Sequence, residues 1–227
     1  MNDTRRTALV AGANGLVGER LLAALCEAPE YGRVYALTRR PLTRDHAKLA
    51  NRVVRFADLE AQLRGITCTE AFCCLGTTLK EAGSEEAFRQ VDHDLVLAFA
   101  RAARAAQAQR FVLVSSVGAD AASRVLYLRV KAQAESAVMT LGFPAVDIMQ
   151  PGLLLGARRG LRPLELAAQW TLPVVAPLLR GGLAAYRPVA ADTLARAMLG
   201  AACSGRRGVT RHTWTAIRAL AAQGGRA

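Results

Sequence analysis

The amino-acid sequence predicts an α/β protein built on a doubly wound parallel sheet. Short apolar or β-branched runs alternate with longer helical patterns through the first two thirds of the chain, which is typical of successive βαβ units. The first of these runs leads directly into a turn rich in glycine. The chain has 227 residues, which suits one well-buried domain and is too short for two domains of ordinary size. We therefore expect a single domain that spans residues 1–227.

The apolar runs predict six strands. In chain order they lie at residues 7–11, 33–38, 53–56, 71–75, 110–115 and 145–150. Helical patterns fill the intervals at residues 16–28, 85–107 and 123–141. From residue 153 onward prolines interrupt this rhythm, so we expect residues 153–190 to form a small C-terminal lobe with a helix around residues 163–180. A further amphipathic helix is predicted to begin at Asp192.

Composition and charge exclude several classes of protein. The longest apolar stretch, residues 164–179, contains Glu165 and two prolines, so we expect no membrane span. Five cysteines without a CxxC pair and three histidines without ligand spacing predict no disulfide framework and no metal site. The net charge of +12 is spread along the chain without a nucleic-acid-binding motif, so we expect no nucleic-acid partner. Without a signal-peptide pattern we expect a cytoplasmic protein, and a protein partner or a homodimer stays open.

The glycine-rich turn has the spacing GxxGxxG between a buried strand and a helix. Gly12 would permit the tight turn, Gly15 would let the backbone approach a pyrophosphate, and Gly18 would let the helix pack closely on the strand. The helix N-terminus adds N–H groups and partial positive charge. The alternative is a purely structural turn. The pattern predicts a dinucleotide site with these contacts: Gly12, Asn14, Gly15, Leu16, Val17 and Gly18.

The residues after the second strand indicate which dinucleotide binds. An acidic side chain at this point would bind the ribose 2′-hydroxyl of NAD, but the sequence has Arg39 and Arg40. Guanidinium groups pair bidentately with phosphate, so we expect NADP(H), the alternative being two solvated arginines. After the fourth strand, Leu75, Gly76 and Thr77 offer a backbone that can approach the two riboses of the cofactor.

Tyr127 and Lys131 lie four residues apart on a predicted helix and therefore share a face. Tyrosine has a reference pKa of about 10, so it needs a nearby positive charge to exchange a proton near neutrality. Lys131 would supply that charge and also hold the nicotinamide ribose. Ser115, at the end of the fifth strand and twelve residues before Tyr127, would orient the substrate. Ser116 is the rival, because strand neighbours point to opposite faces, and the spacing to Tyr127 favours Ser115. The alternative is a packed tyrosine with a solvated lysine.

Five segments of the sequence resemble the Tat-interacting-protein-like branch of the atypical short-chain dehydrogenases, over roughly residues 5–200. They are CCLGTT at 73–78, VD at 91–92, SSVGAD at 115–120, LYLRVK at 126–131 and PGLLL at 151–155. The resemblance implies an NADPH-binding Rossmann domain with a tyrosine active site, classed as an oxidoreductase with an unsettled substrate. It also implies these cofactor contacts: Arg39, Arg40, Leu75, Gly76, Tyr127, Lys131, Leu154 and Arg162.

Two positions depart from the pattern of that branch. Gln150 stands before Pro-Gly where the family has arginine, which puts an anionic contact there in doubt. Arg55 replaces an acidic residue of the third strand, which puts the adenine side in doubt.

The leading functional hypothesis is an NADP(H)-dependent reductase of a small carbonyl compound or its alcohol, with Tyr127 as general acid and base. A second is an NADP(H)-binding regulator or scaffold of the NmrA kind with little turnover. A third is a nucleotide-sugar epimerase or dehydratase, ranked lower because the lobe at residues 153–190, on the substrate side, is small for a sugar nucleotide. The intact Tyr127 and Lys131 pair favours an enzyme.

Overall fold

The computed structural model describes residues 5–156 and 181–224. Seven strands in this part of the chain form one parallel sheet in the order β3-β2-β1-β4-β5-β6-β9. Their bounds are β1 Arg6–Ala11, β2 Tyr31–Thr38, β3 Leu49–Val53, β4 Glu70–Cys73, β5 Arg110–Val114, β6 Ala145–Met149 and β9 Gly208–His212. A separate short pair joins β7, Leu154–Leu155, to β8, Val189–Ala190. The doubly wound parallel sheet is therefore confirmed.

Helices connect the strands and cover both faces of the sheet. The α-helices of the described residues are α1 Leu16–Glu27, α2 Leu59–Gln62, α3 Leu79–Ala82, α4 Glu85–Arg89, α5 Leu95–Ala105, α6 Leu126–Met139, α7 Ala191–Cys203 and α8 Trp214–Gln223. A π-helical turn, Gln90–Asp94, joins α4 to α5, and 3₁₀ turns occupy Phe56–Asp58 and Gly181–Tyr186. Across residues 5–156 and 181–224, no helix combines the length and the apolar character that a membrane span needs.

Alternation along the strands produces two cores, one on each face of the sheet. In β1, Ala8 and Val10 face the core formed with α1, α7 and α8, whereas Leu9 and Ala11 face the core formed with α5 and α6. Both faces are covered by helices, so the central strands are buried throughout, as expected for a parallel sheet. The strand order reverses between β1 and β4, and ligands of such sheets bind at the carboxyl ends of the strands beside that point.

The third strand lies earlier than predicted. The structure places it at Leu49–Val53 rather than at 53–56, and pairs it with β2 at the edge of the sheet. The Asn51 side chain links β3 to β2, because its amide donates hydrogen bonds to the Ala36 carbonyl and to the Thr38 hydroxyl. The prediction followed apolar residues, but Val53 is exposed and Val54 is buried only after the strand has ended.

The remaining differences concern the middle and the end of the chain. The helix predicted at 85–107 is interrupted by the π-helical turn, and β9 and α8 were not predicted. The strand β9 carries a polar, largely exposed sequence at the sheet edge, so hydrophobic periodicity does not reveal it. The predicted helix at 163–180, and most of the C-terminal lobe at 153–190, lie outside the described residues.

Candidate active site

The glycine turn is pressed against the loop that follows β4. Gly12 has a φ of +78°, and a Cβ there would lie 2.5 Å from the carbonyl carbon and oxygen of Cys74. A Cβ on Gly18 would lie 2.1 Å from the carbonyl oxygen of Gly12. Neither position can take a larger residue without a backbone shift. The two glycines therefore fix the close approach of β1, α1 and the β4 loop.

The turn leaves the N-terminus of α1 open to a ligand. Gly15 is the N-cap residue and supplies no side-chain cap, so first-turn N–H groups remain for an anion. Asn14 and Gly15 are exposed and Leu16 is half-buried, whereas Val17 is buried in the core. A cofactor would therefore meet Val17 and Gly18 only through their backbone. This bare glycine cradle at an uncapped helix end fits a dinucleotide pyrophosphate.

The predicted specificity residues lie beside this cradle. Arg39 and Arg40 are exposed and follow directly after β2, which neighbours β1. After β4, Leu75 is half-buried against the core, Gly76 is exposed and Thr77 is half-buried. The structure thus brings the three predicted cofactor segments to one end of the sheet, around the strand-order reversal.

Tyr127 and Lys131 lie one turn apart on α6 beside the β4 loop. The Lys131 ammonium is 6.0 Å from the centre of the Tyr127 ring, and that ring packs on Phe88 with 5.7 Å between ring centres. Lys131 is 5% exposed, whereas Tyr127 is half-buried. Lys131 thus places a positive charge near the Tyr127 ring, and a nearby positive charge stabilises the phenolate form of a tyrosine.

A buried carboxylate holds the lysine. Asp92, which is 1% exposed, places Oδ1 2.8 Å from Nζ of Lys131, and its Oδ2 accepts a 2.8 Å hydrogen bond from the Thr77 backbone N–H. Burial alone would lower the pKa of Lys131, but attraction from Asp92 and Tyr127 outweighs it, so the pKa of Lys131 is raised. The lysine therefore stays protonated in the buried site.

The two candidate serines have different surroundings. The Ser115 hydroxyl donates a 2.6 Å hydrogen bond to Oε1 of Glu135 and is buried. Ser116 is half-buried, with its hydroxyl 3.3 Å from the Val117 carbonyl. A serine has one proton to donate, and that of Ser115 goes to a carboxylate inside the protein. While this hydrogen bond is made, the Ser115 hydroxyl cannot donate a hydrogen bond to a substrate and can only accept one.

Glu135 also explains the departure at Gln150. The Gln150 amide donates a 2.8 Å hydrogen bond to Oε1 of Glu135, and Arg211 on β9 donates to Oε2 at 3.0 Å. Glu135 is 2% exposed, so a buried carboxylate is paired by a cation from the edge strand rather than from position 150. The other departure, Arg55, forms a surface ion pair with Asp58 at 3.2 Å.

The remaining predicted residues fall at the border of the described chain. Leu154 is half-buried in β7, and Gly156 just after it would place a Cβ 2.7 Å from the Leu16 side chain. The loop after β6 thus reaches the glycine turn. Arg162 lies outside the described residues. Among residues 5–156 and 181–224, no three His, Cys, Asp or Glu side chains gather as a metal-binding group.

Sequence reasoning gave no role to Asp92 or Glu135. Glu135 follows Tyr127 and Lys131 at the same spacing of four on α6, so helical periodicity could have placed it on their face. Asp92 stands in a π-helical turn whose composition is ordinary for a helix, and its contact with Lys131 joins distant parts of the chain. No local pattern in the sequence announces that contact.

Comparison with known proteins agrees with this geometry. A family model described as NAD(P)H-binding matches residues 12–162, which is more than half of the chain. The chain belongs to this family. Protein fmp52, mitochondrial, of Aspergillus fumigatus is 36% identical over 197 residues, covering 84% of each chain. Protein HTATIP2 of Rattus norvegicus is 36% identical over 168 residues, covering 72% of this chain and 69% of its own. The resemblance to the Tat-interacting-protein-like branch is confirmed.

Solved structures show the same fold in NAD-binding enzymes. The Bordetella bronchiseptica enzyme WbmH, solved in complex with NAD⁺, superposes with a TM-score of 0.68 and 15% sequence identity. The match covers 92% of this chain and 76% of that chain. At this identity the likeness establishes the Rossmann architecture and leaves the chemistry to the site itself.

The relatives contradict the predicted cytoplasmic location. Several fungal relatives, including those of Aspergillus fumigatus and Eremothecium gossypii, are named as mitochondrial proteins. The prediction of a cytoplasmic protein is therefore wrong. It rested on the lack of an apolar span and of a signal-peptide pattern, and neither feature separates the cytoplasm from the mitochondrion.

Proposed function

We propose that the protein is an NADP(H)-dependent oxidoreductase that interconverts a small carbonyl compound and its alcohol. The observation that carries this proposal is the buried Lys131 ammonium, paired with Asp92 and 6.0 Å from the centre of the half-buried Tyr127 ring. A regulator that only bound the cofactor would not need a tyrosine beside a buried, protonated lysine. The family supports cofactor binding, and this pair supports the chemistry.

Each side chain of the site would have a distinct task. Tyr127 would give its proton to the carbonyl oxygen in reduction and take it back in oxidation. Lys131 would stabilise the phenolate left behind and hold the nicotinamide ribose with its remaining N–H donors. The nicotinamide supplies the hydride chemistry when the cofactor is bound. Because Tyr127 is only half-buried, a substrate would reach the site from the exposed side of this residue.

We assign substrate orientation to Ser116 rather than Ser115. The Ser115 proton is donated to Glu135 at 2.6 Å, while the half-buried Ser116 on the loop after β5 makes only a longer, 3.3 Å hydrogen bond to the Val117 carbonyl, which it would exchange for a ligand oxygen. Ser115 would then act as a structural link between β5 and α6. This assignment replaces Ser115, which its spacing to Tyr127 had favoured, with its neighbour Ser116.

The test of catalysis is Tyr127→Phe. Because the phenylalanine ring can keep its packing on Phe88, we expect unchanged stability and unchanged NADPH binding, with kcat/KM for carbonyl reduction lower by about 10²- to 10⁴-fold. Purified protein is first screened against aldehydes, ketones and quinones by NADPH absorbance, and the variant is then measured on the best substrate. Tyr35→Phe on β2 is the matched control.

Two outcomes would overturn this assignment. Equal turnover in Tyr127→Phe and the parent would remove Tyr127 from the reaction. Tight NADPH binding without turnover of any carbonyl compound in the parent would favour a cofactor-binding regulator.

The preference for NADP(H) rests on Arg39 and Arg40 and has its own test. The double variant Arg39→Asp with Arg40→Ala removes both guanidinium groups from the end of β2, so NADPH affinity should fall by at least about tenfold while NADH affinity changes little. Fluorescence titration measures both constants. Arg101→Asp with Arg104→Ala makes the same charge change on exposed positions of α5. Equal losses for the two cofactors would show that neither arginine reads the 2′-phosphate.

A further inference from the structure

We propose that Asp92 is a positioning residue that keeps Lys131 protonated and in place, and that ties it to the cofactor-facing loop after β4. Its carboxylate bridges the two parts, with Oδ1 2.8 Å from Nζ of Lys131 and Oδ2 2.8 Å from the Thr77 backbone nitrogen. The role given to Lys131 rests on the proposed function. The bridge itself is a property of the folded chain.

The π-helical turn brings Asp92 to this position. It interrupts the helical run between α4 and α5 at Gln90–Asp94, and α6 packs against it. Such one-turn π-helical insertions are rare and are found frequently at functional sites. Within this turn Asp92 alone is buried, whereas His93 is half-buried and Asp94 is exposed. The local irregularity therefore delivers one carboxylate into the protein, toward the lysine of the active site.

The same carboxylate organises the β4 loop. A Cβ on Gly76 would lie 3.4 Å from Oδ1 of Asp92 and 3.5 Å from Nζ of Lys131, so this backbone rests directly on the ion pair. The next residue, Thr77, donates its N–H to the other carboxylate oxygen. Movement of Asp92 would therefore disturb Lys131 and also Gly76 and Thr77, two of the three loop residues predicted to approach the riboses.

Charge balance explains why a carboxylate is needed here. A lysine that is 5% exposed would lose its proton readily in an apolar pocket, because burial penalises the charged form. The groups that face Lys131 are Asp92 from the π-helical turn, Tyr127 from its own helix and the Cys73 thiol from β4. Burial raises the pKa of Cys73 to about 12, and a neutral thiol supplies no charge to balance the ammonium. Asp92 is the member of this set that balances the lysine near neutrality.

The test uses the scarcity of lysine. The chain contains three lysines, Lys48, Lys80 and Lys131, so ¹³C labelling of lysine Cε produces three resonances that can each be titrated in the cofactor-free full chain. Lys131→Arg identifies the resonance of Lys131 by its disappearance. In the parent protein, Lys131 should titrate above the ordinary lysine pKa of about 10.4 in spite of its burial. A Lys131 midpoint below that ordinary value would overturn the proposal without any further variant.

Asp92→Asn removes the charge and keeps an oxygen that can accept from Thr77. The Lys131 midpoint should then fall by about one to three pH units, because burial is no longer opposed. Asp94→Asn makes the same charge change at an exposed position two residues away and should leave the Lys131 midpoint unchanged. An unmoved midpoint in Asp92→Asn would show that the carboxylate does not hold the proton on the lysine.

Cofactor affinity provides a second readout that a merely structural role would not reproduce. NADPH affinity of Asp92→Asn should be slightly below the parent at about pH 6.5 and at least about tenfold below it at about pH 9.5, as Lys131 loses its proton. A loss of equal size at both pH values would mean that Asp92 only supports the fold. If the parent does not bind NADPH, the proposed function fails, while the lysine titration still decides the role of Asp92.

Discussion

Gly12, at the carboxyl edge of the sheet, is packed against backbone, whereas Gly142, a turn glycine at the amino edge, faces open space. A Cβ on Gly12, after β1, would lie 2.5 Å from two backbone atoms of Cys74. A Cβ on Gly142, just before β6, would have no neighbour within 4 Å. Both residues have a positive φ, of +78° and +70°. Gly12 therefore allows two chain segments to approach each other closely, whereas Gly142 only allows the chain to turn.

Buried acids differ between the same two edges. At the carboxyl edge Asp92 pairs with a buried lysine and also accepts a backbone hydrogen bond. At the amino edge, Glu70 begins β4 with 4% of its surface exposed, and Arg6 approaches its carboxylate at 3.3 Å. Burial raises the pKa of Glu70 to about 7, more than the pull of Arg6 lowers it. One buried carboxylate thus sustains a charge needed by the site, and the other tends to become neutral.

The largest effect expected from this comparison is that of Gly12→Ala. An alanine at positive φ costs about 1 kcal/mol, which is all that Gly142→Ala should lose. Gly12→Ala must also displace the Cys74 backbone, so we expect a loss of at least about 3 kcal/mol, or failure to fold. Urea denaturation of the parent and both variants measures the difference. Equal losses would mean that the glycine turn requires only its backbone angle.

The fold could be predicted from the sequence because its signals are local. Alternating apolar runs located five of the six predicted strands within a few residues, and the glycine spacing located the turn between β1 and α1. Tyr127 and Lys131 were found through helical spacing together with Ser115 at the end of the fifth strand, and the structure places both on α6. The strand β3 was misplaced because its position depends on hydrogen bonds of the polar Asn51 rather than on apolar residues.

What escaped prediction depends on contacts between distant segments. Asp92 approaches Lys131 from a π-helical turn. The residue types of this turn are ordinary for a helix, so the sequence does not reveal it. Ser115 was preferred by spacing, yet its hydroxyl is bonded to Glu135 from α6, which no strand pattern could indicate. Glu70 is the first residue of a strand, and the groups that act on its carboxylate, Arg6, Arg110 and Tyr31, come from three other strands.

The smaller effect, at the amino edge, is a stability that depends on the protonation of Glu70. The folded state holds this proton more tightly than the unfolded chain, because burial raises the pKa of Glu70 from its ordinary value of 4.5 to about 7. The contribution to stability is present below about pH 4.5 and is lost as the pH rises through about 7, which is the reverse of an ordinary ion-paired carboxylate.

Glu70→Gln should remove this slope, because an amide does not titrate. Between about pH 5 and about pH 8, the free energy of unfolding of the parent should fall by about 2 to 3 kcal/mol more than that of the variant. Urea denaturation at the two pH values measures both, with the exposed Glu60→Gln on α2 as control. Parallel slopes in parent and variant would mean that Arg6 keeps Glu70 ionised. Both edges would then hold charged pairs, and the contrast between them would reduce to the packing of their glycines.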